Sequence, residues 1–373
     1  MTAPIYLDYN ATTPIDREVV DAMLPYLHTH FGNPSSNHAF GVVAKNAVEK
    51  ARAQVAALVN CQAEEIYFTS GGTESNNLAI KGFALAHEYR GNHIITSAVE
   101  HPAVLEVCKD LQRHGFELSI VPVDDKGRVD VEEIIRHIKE NTILITVMHA
   151  NNEVGTIQPI SAIAEIAHSH NIAMHTDAAQ SLGKIKVDVD EMGVDLLSVA
   201  GHKLYAPKGV GALYVRKGVH LIKQMHGANH ERNLRPGTEN VSSIVGLGKA
   251  CDLIHKNLGK YIQNYQMMRD LLEEELLRED FDLRINGDKD NRLPNTSSIS
   301  FRGKSANEIL GGIQGIAVSA GAACHADDVT ISHVLCAMGV PEDDAIGTIR
   351  FSTGKFTTTD EIISAVELIK TLF

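Results

Sequence analysis

Three short polar segments carry residue types able to do covalent chemistry on a bound group. Ser70-Gly-Gly-Thr-Glu-Ser75 follows the apolar run Ile66-Tyr-Phe-Thr69. Backbone N–H groups there, with the Thr73 and Ser75 hydroxyls at a helix start, form an anion cradle. Thr176-Asp-Ala-Ala-Gln180 puts the carboxylate of Asp177 after Ile172-Ala-Met-His175, and Ala200-Gly-His-Lys203 puts an amine after Leu196-Leu-Ser-Val199. Singly, each has an ordinary explanation: a helix cap, a capping aspartate, a surface lysine. Together they meet the three demands of pyridoxal phosphate, which are a lysine for its aldehyde, a carboxylate for its pyridine nitrogen and an anion site for its phosphate. GxxxxGK[ST] is absent, so the cradle is not a nucleotide P-loop.

A second centre lies far along the chain. Cys324 sits in Ser319-Ala-Gly-Ala-Ala-Cys-His-Ala-Asp-Asp328, a run of small residues ending in a polar stretch, where a thiol is exposed and reactive. Cys108 and Cys251 fall within helical patterns, and Cys61 and Cys336 adjoin apolar residues, so these four read as packing.

The elements that must position these groups alternate. Apolar runs at 66–69, 93–96, 118–121, 143–147, 172–175, 196–199 and 212–215 predict seven buried strands, with helical patterns such as 44–58 and 161–170 between them. Strand-helix-strand repetition predicts a mainly parallel sheet covered on both faces, with ligands beyond the carboxyl ends of its strands. After about residue 258 the pattern changes to a long amphipathic helix over 261–277, strand pieces at 297–301 and 316–319, and a closing helix over 359–372. The expected division is a large domain over 15–257 and a smaller α+β domain built from 1–14 and 258–373, carrying the cysteine.

Read in order, Tyr6-Leu-Asp-Tyr-Asn-Ala-Thr-Thr-Pro14, Gly32-Asn-Pro-Ser-Ser36, Thr69-Ser-Gly-Gly-Thr-Glu-Ser-Asn-Asn77, Glu100-His101, Asn151-Asn-Glu-Val-Gly155, His175-Thr-Asp-Ala-Ala-Gln180, Gly201-His-Lys203 and Arg235-Pro-Gly-Thr-Glu-Asn240 resemble the cysteine desulfurase and selenocysteine lyase family of fold-type-I, aminotransferase class V enzymes. The likeness runs nearly end to end. It implies that Lys203 is the Schiff-base lysine, that Asp177 pairs with the ring nitrogen, that Gln180 bonds the phenolic oxygen, and that His101 stacks on the ring and shuttles protons. Asn152 matches a residue near the phenolic oxygen and the substrate carboxylate, and Arg350 matches the arginine that grips that carboxylate. Gly72, Thr73 and His202 match phosphate contacts. Thr238 matches a threonine donated by a neighbouring subunit, which implies a homodimer. Cys324 matches the cysteine that takes sulfur from L-cysteine, or selenium from L-selenocysteine, and passes it to an acceptor protein.

Two stretches depart from the family pattern. Gly227-Ala-Asn-His-Glu231 stands where Gly-Gly-Gly-Gln-Glu is usual, and Ala200 replaces a phosphate-binding serine. Gly321-Ala-Ala-Cys-His325 leans toward the selenocysteine lyase branch; cysteine desulfurase ranks first on generality, since pocket fit separates sulfur from selenium weakly. A neighbouring His325, if cationic, would lower the Cys324 pKa. Other classes remain: an aminotransferase making no use of Cys324, a silent partner of the same fold, or a metal protein built on some of the 19 histidines. Pairs such as His28 with His30 and His168 with His170 do not converge on a helix face, and no HExxH occurs, which disfavours the last.

Composition closes other routes. Lys plus Arg is 34 against 47 for Asp plus Glu, a net −13 that repels nucleic-acid phosphates and anionic lipid surfaces. An odd cysteine count with no CxxC pair predicts a reducing compartment. The opening residues lack a basic-then-apolar leader and no run approaches about 18 apolar residues, so the expectation is a cytoplasmic protein without a membrane role.

Overall fold

The computed structural model describes residues 4–325 and 328–373, and for residues 322–330 the side chains lie outside the description. Seven strands form one sheet in the order Ile66–Thr69, Gly211–Val215, Leu196–Ala200, Ala173–Asp177, Thr142–Thr146, His93–Ser97 and Glu117–Val121. Gly211–Val215 is antiparallel to both neighbours and every other pairing is parallel. Each run expected from the sequence is a strand, its ends moved by two residues at most.

Consecutive residues of these strands go to opposite faces, the period-2 rule that a doubly covered sheet enforces. Ile95, Ile145 and Leu197 pack into one apolar cluster with Val55 and Ile163, while Ile94, Leu144 and Leu196 pack into another with Leu78 and Phe83. The strands Ile66–Thr69, Ala173–Asp177 and Leu196–Ala200 run in one direction, so the three polar turns that follow them leave the sheet at one edge.

The amphipathic helix is much longer than the sequence reading allowed: Val241–Arg278 is continuous over 38 residues, about 57 Å at 1.5 Å per residue. Glycines at 246, 248 and 259 mask its first half in a propensity reading. At Gly248 the glycine is required by packing, because a Cβ would lie 2.5 Å from the Ala51 Cα of the Ala39–Val59 helix. Ile244, Leu247 and Cys251 from the first half enter the large cluster beside the sheet. Met268, Leu272 and Leu276 from the second half enter a separate core with Phe301, Phe351 and Ile369.

That second core rests on a four-stranded antiparallel sheet ordered Ser319–Ala320, Thr348–Ser352, Thr296–Phe301, Leu283–Asn286. The N-terminal strand Ile5–Tyr6 pairs in parallel with Ile316–Ala317, and Leu7 is fully buried among the same side chains. The expected strand over 316–319 is two short ones, Ile316–Ala317 and Ser319–Ala320, which join different sheets. Cys324 falls in the antiparallel ribbon Ala322–His325 and Asp328–Ile331, opposite Val329. The ribbon's base is closed by Ser332 N donating to Gly321 O at 3.0 Å.

One loop is strained. Glu231, Arg232 and Asn233 have successive φ values of 44°, 52° and 67°, a left-handed run that costs L-residues about 1–2 kcal/mol each. It is held from inside. The Glu231 carboxylate accepts from Arg52 Nη1 at 2.7 Å, Arg52 Nη2 at 2.8 Å and Phe68 N at 2.8 Å, with both ionic side chains under 5 % exposed. Arg232 donates to Ile66 O and stacks on Tyr67. Glu231→Ala leaves the Arg52 guanidinium buried without its main partner, and urea denaturation is expected to show a loss of about 3–5 kcal/mol; a loss below about 1 kcal/mol overturns the assignment of this pair as the loop's anchor.

Candidate active site

Lys203 ends the one-turn 3-10 helix Gly201–Lys203 that follows Leu196–Ala200. The turn is tight because Gly201 lacks a Cβ, which would stand 2.7 Å from Val210 O. Tyr205, two residues on, has φ 62°, and three bonds hold it there. Its N–H donates to Thr13 Oγ1 at 2.9 Å, its carbonyl accepts from Asp16 N at 3.0 Å, and its hydroxyl accepts from Lys355 N at 2.8 Å. The Lys203 Nζ donates to Asn10 O at 2.7 Å. Burial, helped by the Arg350 cation and only partly offset by Asp177 and Asp8, brings its pKa down to about 8.

Asp177 is the last residue of its strand and is buried. Its Oδ2 accepts from Asn76 Nδ2 at 2.7 Å and its Oδ1 from Ala179 N at 2.8 Å. These bonds fix the carboxylate at the wall of a cavity of about 220 Å³. Gly72, Thr73, His101, Asn152, Asp177, Gln180, His202 and Lys203 line that one space, so eight of the eleven residues expected from the sequence converge.

The Gly72–His87 helix starts at the cavity with no side-chain cap. Gly71, at φ 152°, makes a turn that favours glycine, and it packs on Gly211, whose Cβ would lie 2.7 Å from Gly71 Cα. The first N–H groups of a 16-residue helix therefore face the space with Thr73 beside them. One expectation is corrected. Ser75 is fully buried, its Oγ bonded to Thr69 Oγ1 at 2.8 Å and Ala212 O at 3.0 Å, so its hydroxyl belongs to the helix–sheet packing and not to the cradle. With an amine, a carboxylate and an open helix start on one cavity, the donor set fits pyridoxal phosphate.

His101 caps the Pro102–Arg113 helix, its Nδ1 accepting from Ala103 N at 3.0 Å. That bond puts the neutral ring's proton on Nε2. Burial lowers its pKa; Asp177 opposes this, while Lys203 and His333 add to it. Glu100 beneath it is fully buried, with Oε1 accepting from Ser97 Oγ at 2.7 Å and Met148 N at 2.8 Å and Oε2 without a partner. Burial pushes its pKa up to about 8, so at neutral pH it joins two strand-end loops largely as a neutral acid.

Arg350 lies on Thr348–Ser352, across from the parallel sheet. Its Nη1 donates to Asn152 O at 3.0 Å and its Nη2 to Asp8 Oδ1 at 2.7 Å and Ser319 Oγ at 2.9 Å, while Nε is buried and unpartnered. Thr238 does not join the cavity; it is exposed and lines a separate polar depression with Ser70 and Glu239. The Cys324 and His325 side chains lie outside the described residues, and so does any effect of one on the other. Cys336, read from the sequence as packing, is exposed on the His333–Ala337 helix. Sequence reasoning assigned no role to Asn10, whose carbonyl receives Lys203 Nζ, or to Lys184, which donates to Asn10 Oδ1 at 2.7 Å and Gln180 Oε1 at 2.6 Å. Asn10 lies inside one quoted motif and Lys184 four residues beyond another, but only the fold brings them together.

Comparison with known proteins identifies the family and the fold. The aminotransferase class-V family model matches residues 5–364. A cysteine desulfurase IscS of Dictyoglomus turgidum is 47% identical over 99% of this chain and 94% of its own length, and one of Methanosarcina thermophila is 45% identical over 98% and 91%. Among solved structures, a NifS-like protein superposes with a TM-score of 0.93 at 38% identity, covering 99% of this chain and 98% of its own. SspA, solved in complex with cysteine, superposes with a TM-score of 0.83 at 37% identity, covering 95% and 99%. The chain belongs to the aminotransferase class-V family.

Proposed function

We propose that this protein is a pyridoxal phosphate-dependent cysteine desulfurase that converts L-cysteine to L-alanine and holds the sulfur as a persulfide on Cys324. The observation that carries the reading is the meeting of Lys203, Asp177 and the uncapped start of the Gly72–His87 helix on one cavity. Relatives of nearly equal length that are named cysteine desulfurases support the choice of reaction.

When bound, pyridoxal phosphate supplies an electron sink for negative charge developing at the substrate's α-carbon. The Gly72 and Thr73 N–H groups, with His202, would hold the phosphate, and the Asp177 carboxylate would hold the proton of the ring nitrogen. Lys203 Nζ, its pKa brought down to about 8, can take the α-proton once it has given up its own. His101 offers Nε2–H toward the cavity because its Nδ1 is committed to Ala103 N. Arg350 and Asn152 stand where a substrate carboxylate would be gripped, the guanidinium held in place by Asp8 and Ser319.

Cys324 Sγ, as thiolate, attacks the substrate sulfur. A sulfur–sulfur bond forms, the carbon–sulfur bond breaks with its electron pair going to carbon, and that carbon is protonated. The sum is L-cysteine plus enzyme thiol giving L-alanine plus enzyme persulfide. An acceptor protein then takes the sulfur. We read the protein as a homodimer in which Thr238 serves the neighbouring site. Its exposure away from its own cavity supports this, as does the apolar surface of Leu24, Leu27, Phe31 and Phe40, which are 43 to 73% exposed. No helix among the described residues is long and apolar enough to cross a membrane.

Three outcomes test the reading. Cys324→Ala is expected to lower alanine formation from L-cysteine by at least about 10²-fold while the visible absorption of bound cofactor persists; undiminished alanine formation overturns the sulfur-transfer role of Cys324, and amino-group transfer that leaves the carbon–sulfur bond intact and survives the substitution favours an aminotransferase. Assayed side by side, L-cysteine and L-selenocysteine should both yield alanine, and negligible turnover of L-cysteine alone reverses the ranking toward selenocysteine lyase. Because the Lys203 ammonium loses its proton near pH 8, labelling of Lys203 in the apoprotein by an amine-acylating reagent should rise with pH and be half-maximal near that value. A midpoint near that of an ordinary lysine, about 10.4, contradicts the proposed desolvation.

A further inference from the structure

A second lysine lies under the cavity and takes no part in the chemistry above. Lys184 follows Gln180 by four residues and is 5% exposed. Its Nζ donates to Gln180 Oε1 at 2.6 Å and to Asn10 Oδ1 at 2.7 Å, and no carboxylate among the described residues pairs with it. The charged groups acting on it are Lys203 and Arg350, both cations, which add to burial in driving its pKa well below the ordinary lysine value. Burying an amine among cations is costly, and an apolar residue of similar size would fill the same space without that cost.

The bonds around it show what it does. A carboxamide has two ends of nearly equal size, and its function depends on which one faces the ligand. A backbone carbonyl only accepts, so the Gln180 atom 3.0 Å from Asn10 O is the nitrogen. The oxygen therefore points to Lys184, which supplies the hydrogen. Asn10 is locked in the same way: its Nδ2 donates to Thr296 Oγ1 at 2.8 Å and Asn152 O at 3.1 Å, leaving Oδ1 for Lys184 and for Asn295 Nδ2 at 3.0 Å. The Asn10 carbonyl then receives both Gln180 Nε2 and Lys203 Nζ.

We propose that Lys184 is a positioning residue that pins the Gln180 carboxamide, so that its nitrogen faces the cavity as a hydrogen-bond donor for the anionic ring oxygen of the cofactor. This rests on the pyridoxal phosphate reading. Without Lys184, Gln180 Oε1 is buried with no donor, and the amide turns to find one, withdrawing Nε2.

The test is a mutant cycle on pyridoxal phosphate affinity and on the visible band of the bound cofactor, read by absorption and by thermal melting of the apoprotein. Lys184→Met and Gln180→Ala are each expected to weaken pyridoxal phosphate binding by about tenfold and to move the band in the same direction. The double variant should bind no more weakly than Gln180→Ala, within about twofold. Lys184→Arg, which keeps hydrogens at this place, should restore wild-type affinity and band position. If Lys184→Met does not accumulate as a folded apoprotein, Lys184→Gln, whose amide is too short to reach Gln180, replaces it in the cycle. Unchanged affinity and band in Lys184→Met, or losses that add in the double variant, overturn the proposal alone. A wild-type chain that takes up no pyridoxal phosphate overturns the functional reading and this proposal with it.

Discussion

An amine acts as a nucleophile or base only after it gives up its proton, and the surroundings of Lys203 favour that loss. Burial and the Arg350 cation lower the pKa, Asp177 and Asp8 restrain the fall, and the Asn10 carbonyl gives the nitrogen one fixed acceptor. A lysine on an open loop would have none of these. The tight Gly201 turn, the left-handed Tyr205 and the bonds from Thr13 and Asp16 all keep the nitrogen in that environment. Backbone strain at Tyr205 persists because the surrounding bonds over-determine it.

The environment depends on both cores. The parallel sheet supplies Lys203, Asp177, the helix start and His101, all from one edge. The antiparallel sheet supplies Arg350, and the N-terminal segment supplies Asn10 and Asp8 on its way from one core to the other. The Val241–Arg278 helix makes this possible by burying its two halves in different apolar clusters. Paired ionic side chains, such as Glu273 with Arg292 at 2.6 and 2.7 Å, brace its second half against the segment leading to Thr296.

Much of the fold was legible in the chain's order of residue types. Strands buried inside a covered sheet are continuous apolar runs, so their positions could be read, although Glu117–Val121 at the sheet's edge is largely unburied and Gly211–Val215 runs antiparallel. The loops after the parallel strands were the place to look for chemistry because ligands bind at that edge. What could not be read follows a common cause. The long helix was cut short because its glycines look like breakers until the close contact with Ala51 is seen. Ser75 was placed in the anion cradle because a hydroxyl at a helix start is indistinguishable, in sequence, from one turned inward to Thr69 and Ala212.

The amino-acid order alone marked out the candidate groups, Lys203 and Asp177 by residue type and place, His101, Arg350 and Cys324 with the help of the family resemblance, and it revealed the sheet that gathers most of them, since residue type and hydrophobic period are local properties. Only tertiary structure decided how those groups are tuned: the lowered pKa of Lys203, the raised pKa of Glu100 beside His101, and the chain from Lys184 through Gln180 and Asn10 to the Lys203 amine. The reason is physical. Desolvation and the facing of buried hydrogen-bond partners depend on which distant segments close over a side chain, and Asn10 and Lys184 are 174 residues apart in the chain yet share a bond of 2.7 Å.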